Sequence, residues 1–198
     1  LNCEGWAWDD VLPYFRRSQH QERGEDAWHG TGGPLNVSDP RDSNTISEAV
    51  IDACVEAGLP RRDVNGENQE GVSWYQLTVK NGQRNSAAVA YLHPALKRSN
   101  LRVETRALAS RVLIEGKRAV GVTFIQRGVT RTVRARKEVI LAGGAVNSPQ
   151  LLQLSGIGPG ALLQQLGVPV VKDLPGVGEN LQDHYMIPMQ WRLKPGVL

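Results

Sequence analysis

The side chains that could do acid–base, redox or nucleotide chemistry are few and scattered. Four histidines stand at positions 20, 29, 93 and 184. A histidine base needs a partner that orients it and a substrate within reach. His29, in Trp28-His29-Gly30, and His184, in Gln182-Asp183-His184, fall in loop-like sequence. His20 sits at the polar end of a helical stretch, and His93 directly precedes Pro94. None has an evident orienting partner: His20 reads as a surface residue, His93 as locally packed, and His29 and His184 as structural. No Ser–His–Asp arrangement or carboxylate pair stands out. Cys3 and Cys54 are the only cysteines. They give neither a disulfide framework nor a metal-ligand spacing, so no metal site is expected. A reducing compartment, the cytoplasm, fits this usage.

The glycine clusters point to ligand chemistry more directly. Val139-Ile140-Leu141-Ala142 is a continuous apolar run, the pattern of a strand buried on both faces. It runs into Gly143-Gly144. Small residues at a strand end let the backbone approach a ligand closely, and open α/β sheets bind ligands at the carboxyl ends of strands. The alternative is a tight strand-to-helix turn with no ligand. Two other clusters look like nucleotide fingerprints without being so. Gly156-Ile157-Gly158-Pro159-Gly160 has its third glycine too early and follows a helix. Gly176-Val177-Gly178 lacks a third glycine. A phosphate-binding strand–turn–helix fingerprint is absent.

The elements that must position these residues can be read in order. Gly5 to Gln21 reads as a helix capped by Asp9 or Asp10, with Pro13 marking either its first turn or a kink. Residues 22–41 carry repeated Gly and Pro and read as a loop. Thr45-Ile46-Ser47-Glu48 is a capping box, followed by Ile46, Ala49, Val50, Ala53, Cys54 and Ala57 at helical spacing. That places Cys54 in the core. Asn65-Gly66 and Asn81-Gly82 signal turns, Val72 to Val79 a loose strand, and Ser86 to Leu96 a helix. From Asn100 the period becomes two. Strands are expected at Leu101–Thr105, Leu108–Ile114, Ala119–Gln126 and Val129–Ala135, with turns at Gly116-Lys117 and Gly128. Ser148 as N-cap and Pro149 at N1 open a helix that Gly156 stops. A short helix at Ala161–Leu166 and a strand at Val168–Val171 precede a turn at Pro175–Gly178. The tail after His184 alternates weakly.

Composition excludes several classes. The chain has 198 residues, with 23 basic and 20 acidic side chains and a net charge of +3. In Arg131–Lys137, Arg134 and Arg136 are expected on one solvated strand face. No stacking aromatics accompany them, so nucleic acid is not an expected partner. No apolar run reaches the ~18 residues needed to span a bilayer, and the first residues lack a signal-peptide core. The sequon Asn36-Val37-Ser38 reads as accidental. The sequence begins with Leu1, not Met, which suggests a piece of a longer protein.

Together several blocks are specific. Gly143 to Pro159, GGAVNSPQLLQLSGIGP, resembles the second signature of the glucose–methanol–choline oxidoreductases, and Leu174 to His184, LPGVGENLQDH, resembles another block of that family. Trp28–Val37, Asn65–Leu92 and Gly116–Val122 match it in order, so the resemblance covers essentially the whole chain. The nearest likeness is to bacterial choline dehydrogenases and alcohol dehydrogenases that use an acceptor other than oxygen. The resemblance implies a fold that is α/β plus α+β. One part belongs to an FAD-binding domain, with a β-meander, a buried strand and a helix. Another belongs to an antiparallel-sheet substrate domain. It also implies boundaries: a cofactor-covering loop and N-terminal helix in 1–38, a substrate-domain part in 39–90, an FAD-domain part in 91–183, and a returning substrate-domain segment in 184–198.

The implied cofactor is FAD, the implied partner a small-molecule alcohol, and the implied chemistry hydride transfer from the alcohol to flavin. Ala109 matches the position that meets the adenine end of FAD through its backbone. Ala142 and Gly143 match the strand end that lies close to the cofactor. Trp74 and Tyr75 fall in the substrate-domain match and are candidates for an aromatic cage. Three family segments have no counterpart here: the amino-terminal dinucleotide fingerprint, the flavin-proximal segment before Gly5-Trp6, and the segment bearing the catalytic histidine. No catalytic residue is therefore assigned, and the chain alone is expected neither to retain FAD nor to turn over. Homodimerisation or association with the missing parts is expected, as is a cytoplasmic location or one peripheral to the inner membrane. Asn85 stands where the family usually has a basic or bulky residue.

Overall fold

The computed structural model describes residues 3–190 together with Arg192 and Lys194. The segment expected at 184–198 therefore lies partly outside the described residues. The chain divides into two compact units, Leu1–Val103 and Glu104–Leu198.

In the first unit, α1 spans Trp8–Ser18. Asp10 does not begin the helix. It sits at the third helical position, and its carboxylate accepts the Ala7 N–H at 3.1 Å, satisfying a donor at the helix entrance. Pro13 lies inside the helix and removes one backbone bond there. The helix stops at Ser18 because Gln19–Gln21 become β1, which pairs in parallel with β2, Leu35–Val37. The expected loop 22–41 thus contains a strand. Its glycines let backbone cross backbone. A Cβ at Gly30 would stand 1.9 Å from the Arg16 carbonyl oxygen, and one at Gly33 2.4 Å from the Ser18 carbonyl carbon.

Helix α2 spans Thr45–Glu56, but its cap is Asn44, whose Oδ1 accepts the Ile46 N–H at 2.9 Å. Glu48 does not close a capping box. It accepts the Trp74 indole N–H at 2.6 Å and pairs with Arg61 at 3.0 Å. Two such charge-assisted contacts outcompete one backbone N–H. The Trp74 bond, ahead of the Arg61 charge, holds the Glu48 carboxyl below its usual range. Ile51 is the buried residue of α2, while Ala49, Val50 and Ala53 are exposed and Cys54 is half-buried. The inward face runs through Ile46, Ser47, Glu48, Ile51 and Cys54, so it keeps Ile46 and Cys54 of the expected stripe and is rotated away from its small residues.

Val72–Val79 is not one strand. Isolated bridges join Arg61 to Val72 and Ser38 to Leu77. Then β3 (Val79–Lys80) and β4 (Gln83–Arg84) form a hairpin closed by Asn81 and Gly82, with φ of 52° and 74°. Both values suit a two-residue hairpin turn. The expected helix at Ser86–Leu96 is a π turn, Ala88–Leu92, leading into α3, His93–Ala95. Asn85 is buried: its Nδ2 donates to the Pro34 carbonyl at 3.2 Å and its N–H to that of Thr78 at 2.8 Å. The side-chain amide thus satisfies the Pro34 carbonyl, while the Thr78 carbonyl is met by backbone. Leu101–Thr105 forms no ladder; alternation alone makes no strand without a partner edge.

The second unit is built on an antiparallel meander, β5 (Ala107–Glu115), β6 (Arg118–Gln126) and β7 (Val129–Arg134), as the period-two pattern predicts. Arg136 lies beyond β7 and does not share its face with Arg134, which pairs with Glu115. Helix α4 spans Gly144–Leu154. It begins before Ser148, so Ser148 is not the N-cap; its Oγ reaches back and accepts the Gly143 N–H at 3.0 Å. Past the other end of α4, Ser155 Oγ accepts the Val112 N–H of β5 at 2.8 Å. Val139–Ala142 is not a buried strand: it forms no ladder, and Ile140 is 77% exposed. Such a run is covered only between two neighbouring strands, and none of the described strands pairs with it. Finally β8 (Ile157–Gly158), α5 (Gly160–Gln165) and β9 (Lys172–Asp173) form a small parallel crossover over the fully buried Leu163. The strand expected at Val168–Val171 is displaced to 172–173, where Lys172 pairs with Ile157. The mixed helix-and-sheet class holds.

Candidate functional site

The start of α4 opens beside a cleft of about 810 Å³ in the second unit. One wall comes from α4, with Ala145, Val146, Ser148 and Gln153. The other is the irregular segment Gly176–Gln182. No side chain caps the first turn of α4. Its exposed N–H groups carry the positive end of the helix dipole toward an acceptor. The opposite wall is held by a chain of bonds. Leu174 N–H donates to the Gly158 carbonyl at 2.9 Å, Val177 N–H to that of Leu174 at 3.1 Å, and Gln153 Nε2 to that of Val177 at 2.9 Å. Within it Asn180 takes a φ of 57°, and its Oδ1 accepts from Gln182 Nε2 at 3.1 Å.

One of the two glycine clusters set aside as nucleotide fingerprints, Gly176-Val177-Gly178, thus faces α4 across the cleft, whereas Gly156–Gly160 does not line it. Ala142 and Gly143 sit together at the helix start and are exposed. Ala109, on β5, is also exposed, opposite Phe124 of β6 and next to a bulge. It lies three residues along the strand from Val112, where the far end of α4 is anchored. About 16 Å of helix separates that anchor from Gly143. Ala142 and Gly143 precede the first cleft-lining residue, Ala145, and do not themselves line the cleft, and Ala109 stands apart from them. Sequence reading missed Gln153 and Asn180. The available signal was the pair Gly158 and Gly178, whose missing side chains leave room for Gln153.

In the first unit, His29 is 5% exposed and does have an orienting partner. Its Nδ1 lies 2.9 Å from both Asp26 oxygens, and Nε2 lies 4.0 Å from Asp63. Asp26 Oδ1 also accepts the Trp28 and His29 N–H groups at 2.7 and 2.6 Å. These bonds, the His29 side chain first, hold the Asp26 carboxyl below its usual range. They fold the loop around the ring, in keeping with the structural role expected of it. His20 accepts the Gly32 N–H at 2.9 Å, and His20, His93 and His184 are exposed. The Trp74 N–H is engaged by Glu48, and Tyr75 is 76% exposed. Among the described residues no cluster of His, Cys, Asp or Glu could hold a metal, and no helix is long and apolar enough to cross a membrane.

A meander beside a helix whose uncapped N-terminus opens next to a glycine-rich segment is a mixed helix-and-sheet fold shared with solved oxidoreductases. The chain belongs to the GMC oxidoreductases: that family matches residues 1–186. It is 51% identical over 189 residues to the mitochondrial choline dehydrogenase of Homo sapiens, covering 95% of this chain and 32% of the relative. It is 50% identical over 193 residues to the oxygen-dependent choline dehydrogenase of Pseudomonas putida KT2440, covering 95% and 34%. Among solved structures, an FAD-dependent oxidoreductase from Chaetomium thermophilum superposes with a TM-score of 0.84 at 36% identity, over 92% of this chain and 34% of that one. The chain spans about a third of the length of the curated relatives it matches.

Proposed function

We propose that the chain is the central part of an FAD-dependent oxidoreductase acting on CH–OH groups, with choline or a related alcohol as substrate. The observation that carries this reading is the meeting of blocks 143–159 and 174–184 across one cleft, in a chain about half identical to choline dehydrogenases. The residues fit a flavin dinucleotide. Ala142, Gly143, Gly144 and Ala145 form an exposed small-residue approach, and nothing lies within 4 Å of where a Gly144 side chain would begin. The uncapped N–H groups of α4 can donate to a phosphate or a flavin carbonyl. Ala142 and Gly143 would line that approach, and Ala109 would offer backbone to the adenine end. Bound FAD supplies the electron sink that takes a hydride from the alcohol carbon. The chain's own residues bind and orient it. Within this reading 39–90 and 184–198 belong to the substrate domain, 91–183 to the cofactor domain, and 1–38 to the covering loop. Cys3 and Cys54 are both free, which supports the cytoplasm.

The test is the visible spectrum of the purified full-length protein that contains this segment, identification of any released cofactor, and anaerobic bleaching by choline and simple alcohols. A colourless full-length protein, or a flavin that no alcohol bleaches, overturns the reading. The name of the Pseudomonas relative favours a second reading for the acceptor, dioxygen rather than another oxidant. Oxygen uptake measured against dye reduction separates the two.

A further inference from the structure

Gln153 stands where α4, the Ile157–Gly158 strand and the Leu174–Gly178 turn converge. Its Nε2 donates to the Val177 carbonyl at 2.9 Å. The side chain passes between Gly158 of that strand and Gly178 of the turn. A Cβ at Gly158 would lie 2.9 Å from Gln153 Cγ, and one at Gly178 would lie 2.8 Å from Gln153 Nε2. Side chains at either position would collide with the glutamine, so the strand and the turn close around it and steer its amide onto one carbonyl. The segment it grips contains neither helix nor strand. Its other hydrogen bonds are local: Val177 to Leu174, Glu179 to Gly176, and Gln182 to Asn180. The Gln153 bond is what ties this wall of the cleft to the helix that forms the other wall.

We propose that Gln153 is a positioning residue for the cofactor cleft, fixing the Gly176–Gln182 wall against α4 at the separation in which the dinucleotide binds. The assignment rests on the cofactor reading above. It follows from preorganisation: a wall already in place costs nothing to order when the ligand arrives, whereas an untethered one must be ordered on binding. Gln153 touches neither reacting atoms nor substrate; it acts through the segment it holds.

The test uses the flavin-loaded full-length protein that contains this segment, with Gln153→Met, which keeps length and packing but has no donor. Gln153→Glu is the second variant, placing an acceptor against the Val177 carbonyl. Amide hydrogen exchange at residues 177–182 reads the tether, and FAD titration of the stripped protein reads the site. We expect exchange there to accelerate and FAD affinity to fall, each about fivefold to tenfold, as loss of one hydrogen bond gives. Exchange in β5–β7 should stay unchanged. Unchanged exchange at 177–182 in both variants overturns the tether. Faster exchange with unchanged FAD affinity and flavin circular dichroism overturns the positioning role and leaves the cofactor reading standing. A full-length wild-type protein that binds no FAD overturns the cofactor reading and this assignment together, before any variant is measured.

Discussion

Ser148 Oγ accepts the Gly143 N–H at 3.0 Å, from inside the helix that Gly143 precedes. The hydroxyl therefore closes the turn that leads into α4 rather than capping a helix that begins at Pro149. It also engages the one N–H of Gly143, so an acceptor at this turn must be met by the amides that follow.

Ser148→Ala should lower stability by about 1 kcal/mol, the typical net value of such a bond. The cofactor should also bind more weakly, because Gly143 is no longer held. A thermal melt and an FAD titration on the same preparation check both. Full FAD affinity at reduced stability would mean that the turn and the cofactor do not communicate.

Ala109 tests the other end of the candidate site. Ala109→Ser keeps the backbone N–H and should leave flavin content unchanged. Ala109→Pro removes that N–H and disturbs the β5–β6 ladder beside its bulge. Flavin content per protein should fall severalfold in the proline variant, while far-ultraviolet circular dichroism reports whether the meander survives. Equal flavin in both variants removes Ala109 from the site.

What could be read from sequence divides by the range of the interactions involved. The meander was legible because β5, β6 and β7 pair with sequence neighbours through turns at Gly116 and Gly128. The Asn81-Gly82 hairpin was legible for the same reason. Leu101–Thr105 and Val139–Ala142 carry equally good strand patterns but have no ladder partner in the described chain, and a pattern says nothing about who pairs with it. Asn44 displaced Thr45 as cap because Glu48 found Trp74, a contact across 26 positions. The candidate cleft was half legible. The small residues at 142–145 were visible, whereas the clasp from Gln153 to Val177 spans 24 positions and leaves no local signature.

Gly30 offers a sharper test of the first unit. A methyl there would meet the Arg16 carbonyl at 1.9 Å, backbone against backbone, with no side chain able to yield. Gly30→Ala should cost about 3 kcal/mol or more, at or beyond the usual range for overpacking. Gly32→Ala, with φ of 78° but nothing within 4 Å, should cost only its backbone strain, about 1 kcal/mol. Chemical denaturation of the two variants ranks them, and the reverse order would show that α1 and the 30–33 loop do not cross as closely as described.

The last prediction concerns acid. Arg23 grips Asp39 with two nitrogens, at 3.0 and 2.6 Å, and reaches Asp63 at 3.1 Å. Gln76 Nε2 donates to Asp39 at 3.1 Å and to Gln21 at 2.9 Å. The Arg23 bond, assisted by Gln76, holds the Asp39 carboxyl below its ordinary value. Folding therefore favours the ionised form. The sign follows: this contribution is complete above the unfolded-state value of about 4 and is lost as the pH falls through the lower folded-state value. Both side chains are about one-third exposed, so solvent screens the pair and the effect is modest. Asp39→Asn should reduce stability at neutral pH, and its stability should fall less steeply than wild type between about pH 4 and pH 2. Urea midpoints measured at several pH values read both slopes. Parallel curves for the two proteins would show that Asp39 ionises alike in the folded and unfolded chains, and the Arg23 grip would then contribute nothing to acid sensitivity.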